Sequence, residues 1–244
     1  MKQTMTRKRV FLAAAVLLAA LLTGGYHYLN DSYPADPAAA AALEESGEVT
    51  VTVSEDLVIF RPEKAEAGLI FYPGGKVDHL AYAPVLRLLA QEGIACVLTG
   101  MPFDLAVLDM DAARDARARL PEIDRWYLGG HSLGGAMAAA HAADCPGEYE
   151  GLVLLAAYST KDLSSSNMKV ISLYGNEDKI LNMEQYLANR SNLPADTVEM
   201  VLDGGNHARF GAYGPQDGDG IATVSPGEQR AWAVELISEI ILKK

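Results

Sequence analysis

The sequence predicts an α/β fold in which a mainly parallel sheet is covered by helices on both faces. From residue 48 onward, short apolar runs alternate with segments of helical pattern, which is typical of that architecture. The central runs are continuously apolar, as strands buried on both faces are. One of them is followed at once by a glycine-rich turn and a helix. With 244 residues, 50% of them hydrophobic, the chain is long enough for one large domain.

The predicted strands are short runs rich in Val, Ile, Leu and aromatic residues. There are eight, at residues 49–53, 57–60, 68–72, 94–98, 126–128, 152–156, 170–174 and 198–202. The first two alternate apolar and polar residues and predict a hairpin or meander. The runs at residues 68–72, 152–156 and 170–174 predict buried strands, and the alternation of strands with helices predicts a mainly parallel sheet. Because the carboxyl ends of parallel strands meet at one edge, we expect the functional residues there.

The predicted helices lie between these strands and after the last one. They cover residues 80–91, 105–120, 133–143, 181–189 and 229–242. The helix that begins at residue 133 consists almost entirely of small residues, as expected for a helix that packs closely on a sheet. The final helix has the clearest start, because Ser225 and Glu228 form a capping box with Pro226 at the first helical position.

Residues 1–29 are predicted to be a membrane anchor or a signal peptide. Four basic residues precede an apolar stretch over residues 10–22, which continues more weakly to residue 29. As a helix, residues 10–29 would be about 30 Å long, enough to span a bilayer. Tyr26 and Tyr28 would then lie at its outer interface. The positive flank predicts that the N-terminus stays inside and the rest of the chain lies on the extracytoplasmic side of the cell membrane.

We favour an uncleaved single-pass anchor over cleavage at the small residues Thr23 and Gly25, which would give a secreted protein. No cysteine follows the apolar stretch, so we expect no lipid-modified N-terminus. Residues 30–48 are rich in alanine, proline and acidic residues, which predicts a linker. The remaining residues, 49–244, are predicted to form the globular domain.

Charge and cysteine content narrow the classes of partner. The chain has a net charge of −12, and without its four N-terminal basic residues it retains 16 basic against 32 acidic residues, or −16. This balance argues against nucleic acid and against anionic lipid surfaces as partners. Cys96 and Cys145 are predicted to be small buried apolar residues. No spacing of Cys, His or Asp indicates a metal site, and the oligomeric state stays open.

The turn after residues 126–128 reads Gly130-His131-Ser132-Leu133-Gly134, a Gly-x-Ser-x-Gly motif between a strand and a helix. Such a turn holds its serine in a strained backbone conformation with the hydroxyl above the sheet. Glycine is needed on both sides because these two positions come very close together. Ser132 is therefore the predicted nucleophile. The alternative, a glycine-rich turn with an incidental serine, does not account for the strand and the small-residue helix around it.

A serine hydroxyl needs a base to remove its proton, and that base needs a carboxylate to hold its tautomer. His207 lies in a glycine-rich loop after residues 198–202 and is the predicted base. His131 adjoins the serine and is predicted to point elsewhere, whereas His141 is predicted to pack against the core.

The predicted acid is Asp178, which follows the strand at residues 170–174. Glu177 is the first alternative. Asp203 is a more distant alternative, because it is too close in sequence to His207 to approach that ring from the other side. The order Ser, Asp, His is the one associated with a serine turn of this kind.

Two backbone N–H groups are predicted to stabilise the oxyanion that forms on the substrate. One belongs to Leu133, the residue after the nucleophile. The other is expected in the loop after residues 68–72, where Gly75 is the first candidate and Lys76 the second. An ordinary Gly-Gly turn is the alternative for this loop.

With these residues in view, the chain resembles the α/β-hydrolases over roughly residue 49 to the C-terminus. The phrases at residues 71–77 (FYPGGKV), 101–108 (MPFDLAVL) and 207–214 (HARFGAYG) are similar to exported bacterial members distantly related to dienelactone hydrolases. The resemblance implies the α/β-hydrolase fold and a Ser132–Asp178–His207 triad that acts through an acyl-serine intermediate without a cofactor. Pro73 stands where related enzymes often carry a histidine, which leaves the identity of the second oxyanion donor open.

Only about a dozen residues separate the strands at 152–156 and 170–174, so the sequence predicts no cap domain. An open site favours short-chain carboxylic esters, lactones or thioesters as small-molecule substrates. Two alternatives remain on the same scaffold: an acyltransferase, and a non-catalytic binding protein. The glycine-rich stretch 211–220 after His207 is expected to be mobile.

Overall fold

The computed structural model describes residues 2–44 and 47–243, so Glu45 and Ser46 of the predicted linker, and both terminal residues, lie outside the described part. The chain divides into two compact units, Met1–Ser32 and Tyr33–Lys244. In the first unit, helix α1 runs from Lys2 to Asn30. Its apolar stretch Val10–His27 is long and apolar enough to cross a membrane or to serve as a signal sequence, and its side chains are exposed.

The second unit contains the predicted eight-stranded sheet. Its strands are β1 (Val49–Val53), β2 (Leu57–Pro62), β3 (Ala67–Tyr72), β4 (Ile94–Thr99), β5 (Trp126–His131), β6 (Gly151–Leu155), β7 (Lys169–Gly175) and β8 (Val198–Leu202). The strand order is β1-β2-β4-β3-β5-β6-β7-β8. Strand β2 pairs antiparallel with β1 and β4, and all other pairs are parallel. The mainly parallel sheet is therefore confirmed.

The helices of the second unit are α2 (Pro37–Leu43), α3 (Ala83–Gln91), α4 (Ala112–Ala118), α5 (Leu133–Asp144), α6 (Met183–Ala188) and α7 (Pro226–Leu242). Short 3₁₀ turns lie at His79–Tyr82, Pro102–Asp104, Ala106–Leu108, Arg190–Asn192 and Ala208–Phe210. The capping box of α7 is present as predicted. The long helix predicted over residues 105–120 is wrong, because Phe103 and Asp104 adopt positive φ angles and Leu105 is extended, so the α-helix begins only at Ala112.

Helices cover both faces of the sheet, as predicted, and enclose two hydrophobic cores. The first lies under α3 and α7 and receives Leu69 and Phe71 of β3. The second lies under α4 and α5 and receives Ile70 and Tyr72 of the same strand, because successive side chains of a strand point to opposite faces. Both cysteines are free and buried, which confirms their prediction as apolar residues. The residues between β6 and β7, 156–168, form turns without a helix.

Part of the predicted linker is packed structure. Helix α2 buries Ala39 and Ala42. The buried Arg87 guanidinium of α3 donates hydrogen bonds to the carbonyl oxygens of Ala42 and Glu44 at 2.8 and 2.5 Å. Composition alone missed this docking, because a run of alanines carries no apolar periodicity that would mark a buried face.

Candidate active site

Ser132 lies on a sharp turn between β5 and α5. Its φ of 52° and ψ of −123° are unusual for a residue with a side chain and mark a strained backbone. A Cβ atom at Gly130 would lie 2.6 Å from the carbonyl carbon of Gly134. A Cβ atom at Gly134 would overlap the carbonyl oxygens of Tyr72 and Pro73. Backbone crowding therefore requires glycine at both positions.

The structure brings the side chains of His207 and Asp178 together at the carboxyl ends of β8 and β7. His207 Nδ1 and Asp178 Oδ2 are 2.8 Å apart, and the two side chains are only 2% and 1% exposed. The other carboxylate oxygen, Oδ1, accepts the backbone N–H groups of Ile180 at 2.8 Å and Leu181 at 2.7 Å. Because an ionised carboxylate can only accept, the His207 proton sits on Nδ1 and leaves Nε2 as an acceptor.

Neither alternative acid, Asp203 or Glu177, is hydrogen-bonded to the His207 ring in the described part of the chain. Asp203 Oδ1 accepts a hydrogen bond from Asn176 Nδ2 at 2.6 Å. The backbone N–H of Glu177 donates to the carbonyl oxygen of Gly205 at 2.9 Å. Among residues 2–44 and 47–243, the carboxylate hydrogen-bonded to the His207 ring is that of Asp178.

His131, expected to point away from the reaction, is buried beside the predicted base. Its ring centroid lies 4.4 Å from that of His207, its Nδ1 lies 2.8 Å from Tyr82 Oη, and its Nε2 lies 3.1 Å from the His207 carbonyl oxygen. Burial, and then the neighbouring His207 ring, hold the pKa of His131 well below its usual value. His131 is thus a neutral structural neighbour of the predicted base. Its partners Tyr82 and His207 are distant in sequence, so a local motif could not predict this role. His141 is buried and contacts Tyr149, as predicted for a core residue.

The loop after β3 presents its backbone to the start of α5. A Cβ atom at Gly75 would lie 2.8 Å from Leu133 Cδ2, so the two predicted donors are neighbours. The N–H of Leu133 belongs to the first turn of α5, where backbone donors have no partner within the helix. The Lys76 N–H already donates to the carbonyl oxygen of Asp104 at 2.7 Å, which disfavours Lys76 as an oxyanion donor. In the described part of the chain, Gly75 N–H has no such acceptor.

The glycine-rich stretch after His207 is held by a carboxylate that sequence reasoning missed. Asp219 accepts backbone N–H groups of Ala208 at 3.0 Å and His207 at 3.4 Å, both in the loop of the base. It also accepts the N–H of Lys179 at 3.3 Å, next to Asp178. The Gly-Asp-Gly sequence at residues 218–220 could have indicated this role, because an aspartate in a turn readily accepts backbone N–H groups. Asp219 therefore joins the loops of the predicted base and the predicted acid.

The start of the second unit braces the same loops. Tyr33 N–H donates to the carbonyl oxygen of Lys76 at 2.8 Å, and Tyr33 Oη accepts the N–H of Asp217 at 3.1 Å. Asp36 N–H donates to the carbonyl oxygen of Ala212 at 2.8 Å. The segment that begins at Tyr33 thus connects the loop after β3 with the loop that follows the base.

Exposed apolar side chains border the loop after β3. Phe103, Val107 and Leu108 are 51%, 51% and 54% exposed. Their segment is fixed to that loop by the Lys76–Asp104 hydrogen bond, and its turn Ala106–Leu108 packs against α5. Exposed apolar side chains of this kind can contact the carbon chain of a small ligand.

Comparison with known proteins supports the fold described above. A profile described as "Alpha/beta hydrolase family" matches residues 68–231, more than half of the chain. No curated protein sequence matches it. Solved structures of similar fold include a predicted CIB-like hydrolase from Thermoplasma acidophilum, with 12% identity, a TM-score of 0.54 and coverage of 78% of this chain and 97% of that one.

Two further structures share the fold. TT1662 from Thermus thermophilus has 14% identity and a TM-score of 0.57, with coverage of 81% of this chain and 100% of that one. Est1E from Butyrivibrio proteoclasticus has 15% identity and a TM-score of 0.55, with the same coverages. At these sequence identities, the similarity to the three solved structures shows a shared fold and nothing more.

Proposed function

Because the chain belongs to the alpha/beta hydrolase family, we propose that it is a serine hydrolase that cleaves small carboxylic esters, lactones or thioesters. The observation that carries the proposal is the buried 2.8 Å hydrogen bond between His207 and Asp178 at the strand edge where Ser132 occupies its strained turn. A serine, a carboxylate and an imidazole after the carboxyl ends of β5, β7 and β8 are the parts that acyl transfer to serine requires.

In the proposed reaction, His207 Nε2 removes the proton of Ser132 Oγ as that oxygen attacks the substrate carbonyl. Asp178 holds the Nδ1 proton and stabilises the imidazolium that forms. The N–H groups of Leu133 and Gly75 stabilise the negative oxygen of the tetrahedral intermediate. When the intermediate collapses, the imidazolium gives its proton to the leaving alcohol or thiol, and an acyl-serine remains.

Water then completes the cycle by the reverse sequence. His207 removes a proton from water, and the hydroxide attacks the acyl-serine carbonyl. The second tetrahedral intermediate is stabilised by the same two N–H groups. Its collapse releases the carboxylic acid and returns the proton to Ser132 Oγ, so the starting state is restored.

The proposed substrate class follows from the surroundings of the serine. Residues 156–168 form only short turns between β6 and β7, which favours a site without a cap over it. Phe103, Val107 and Leu108 offer a shallow apolar surface for a short acyl or alcohol group. A long acyl chain would need an enclosed apolar channel to bury its surface, so short esters are the proposed substrates.

We place this activity on the extracytoplasmic side of a membrane. Support comes from the apolar stretch Val10–His27 and from the basic residues before it, which favour an N-terminus that stays inside. In this proposal α1 is an uncleaved anchor. Mass spectrometry of the protein from membranes tests this, because cleavage near residue 25 would remove the N-terminal peptide.

The test of the catalytic proposal is labelling by a fluorophosphonate probe, applied to the full chain in detergent micelles. The parent protein should be labelled and should hydrolyse p-nitrophenyl acetate, whereas Ser132→Ala and His207→Ala should do neither. Ser164→Ala, at a serine hydrogen-bonded to Asp162 on the surface, is the matched control and should behave as the parent does. A folded parent without labelling or turnover would overturn the proposal and favour a binding protein.

A further inference from the structure

A chain of three hydrogen bonds connects the loop after β3 with the loop that carries His207. Gly74 N–H lies 3.1 Å from Tyr82 Oη, and Tyr82 Oη lies 2.8 Å from His131 Nδ1. His131 Nε2 lies 3.1 Å from the His207 carbonyl oxygen. Tyr82 and His131 are both buried. The proposed mechanism leaves these two side chains unused, although they lie between its oxyanion donor and its base.

The chemistry of the four groups gives each bond one direction. A carbonyl oxygen can only accept, so His131 carries a proton on Nε2, which it donates to the His207 carbonyl oxygen. In a neutral ring Nδ1 is then unprotonated and accepts the Tyr82 hydroxyl proton, while Tyr82 Oη accepts from Gly74 N–H. Burial raises the pKa of Tyr82 and lowers that of His131, which keeps both groups neutral. With His131 neutral, all three hydrogen bonds form together in this arrangement.

We propose that Tyr82 and His131 are positioning residues, which hold the Gly74–Gly75 backbone and the backbone of His207 at a fixed separation. This inference rests on the proposed function, because the two ends matter only if Gly75 and His207 act on one substrate. During the reaction the Gly75 N–H must stabilise the developing oxyanion while the His207 ring holds the proton of the serine, so both groups must be in place at the same time. A shift of either loop by about 1 Å would misplace one of the two groups and cost about 10²-fold in rate.

The ring packing around His131 reinforces the hydrogen bonds. His131 lies 4.4 Å from the His207 ring and 5.9 Å from Phe210, measured between centroids. Tyr82 packs against Phe71 at 5.3 Å. Removal of one hydroxyl group therefore leaves the apolar contacts in place and isolates the contribution of the hydrogen bonds.

The chain supplies a matched control in a second buried Tyr–His pair. Tyr149 Oη lies 3.0 Å from Nε2 of His141, and both residues are buried. His141 is on α5, two turns after the serine, and its Nδ1 faces Asp111 at 3.1 Å. This pair joins α5 to neighbouring surface segments and touches neither predicted oxyanion donor. Loss of its hydroxyl should therefore affect stability alone.

The experiment compares Tyr82→Phe with Tyr149→Phe in the full chain in detergent, with p-nitrophenyl acetate as substrate. We expect Tyr82→Phe to lower kcat about 10- to 100-fold with KM within about twofold. Tyr149→Phe should keep kcat within about twofold of the parent, while its unfolding midpoint falls by about as much as that of Tyr82→Phe. His131→Leu should lose kcat, and His131→Gln should recover part of it, because a glutamine amide offers both an acceptor and a donor. A kcat loss in Tyr82→Phe no larger than in Tyr149→Phe would overturn the proposal.

A second readout separates this proposal from the catalytic one. In ¹⁵N-labelled protein, Tyr82→Phe should shift the amide signals of both Gly75 and His207, and Tyr149→Phe should shift neither. An unmoved His207 amide overturns the positioning role whether or not the protein turns over esters. Absence of fluorophosphonate labelling in the parent overturns the proposed function, and in that case the coupling between the two loops is still decided by the amide signals.

Discussion

Replacement of Asp178 by asparagine is expected to abolish most of the activity without disturbing the fold. The side-chain oxygen of asparagine can still accept the N–H groups of Ile180 and Leu181, which now donate to Asp178 at 2.8 and 2.7 Å. That anchoring turns the new NH₂ group toward His207 Nδ1, which lies 2.8 Å from Oδ2 in the parent. Shape and volume are nearly unchanged, so packing gives no reason for unfolding.

The expected magnitude follows from the tautomer that the amide imposes. An NH₂ group can only donate, so His207 must present a bare Nδ1 and carry its proton on Nε2. A protonated Nε2 cannot accept the Ser132 proton. The same change in serine proteases lowers kcat about 10⁴-fold, which corresponds to about 5.5 kcal/mol in the activation barrier.

The assay is steady-state hydrolysis of p-nitrophenyl acetate, with thermal unfolding measured in parallel to show that the variant is folded. Glu177→Gln and Asp203→Asn are the controls, because they remove the two alternative carboxylates of the same region. Both controls should keep kcat within about threefold of the parent. The reasoning is refuted if folded Asp178→Asn retains more than a tenth of the parent kcat. It is also refuted if Glu177→Gln loses more activity than Asp178→Asn does.

Three further changes test the supporting structure. Gly134→Ala should lower the free energy of unfolding in urea by about 3 kcal/mol, because the new methyl group meets backbone carbonyls. In the control Gly227→Ala, on α7, the methyl group would lie 3.9 Å from Ser225 Oγ, an ordinary contact, and the free energy of unfolding should stay within about 1 kcal/mol of the parent value. Equal effects of the two substitutions would contradict the crowding argument. Below pH 6.5 the unfolded chain binds a proton on His131 that the buried ring of the folded protein does not bind. As the pH falls from 6.5 toward the much lower pKa of the folded state, the free energy of unfolding should therefore decrease by about 1.4 kcal/mol per pH unit more in the parent than in His131→Gln. Parallel pH curves for the two proteins would contradict this. Arg87→Met should lower the free energy of unfolding by about 2–4 kcal/mol and expose residues 33–44 to limited proteolysis, because it removes charged hydrogen bonds to backbone carbonyls. If these residues stay as protected as in the parent, α2 docks without those hydrogen bonds.

Much of the fold could be predicted because its signals are local. The buried strand β3 is a continuous apolar run, and the edge strand β8 was predicted with its observed bounds. The serine turn is equally local, since its glycines lie two residues on either side of Ser132. His207 and Asp178 could be proposed from chain order and strand ends, and the structure gives the 2.8 Å contact between them.

What could not be predicted depends on contacts between distant positions. His131 meets Tyr82, 49 positions earlier in the chain. Asp219 meets Lys179, 40 positions earlier. The docking of Tyr33 depends on loops that lie beyond residue 70. No periodicity within a short window carries this information.

The separation of the two cysteines between the two cores has a consequence for the redox behaviour of the protein. Cys96 belongs to the core under α3 and α7, and Cys145 to the core under α4 and α5, with the sheet between them. Burial raises the pKa of the Cys96 thiol, so little of the reactive thiolate forms. The domain therefore needs no oxidising compartment to reach its native state, and thiol reagents should spare Cys96. A domain made in a reducing cytoplasm should have the same structure as one made outside the cell.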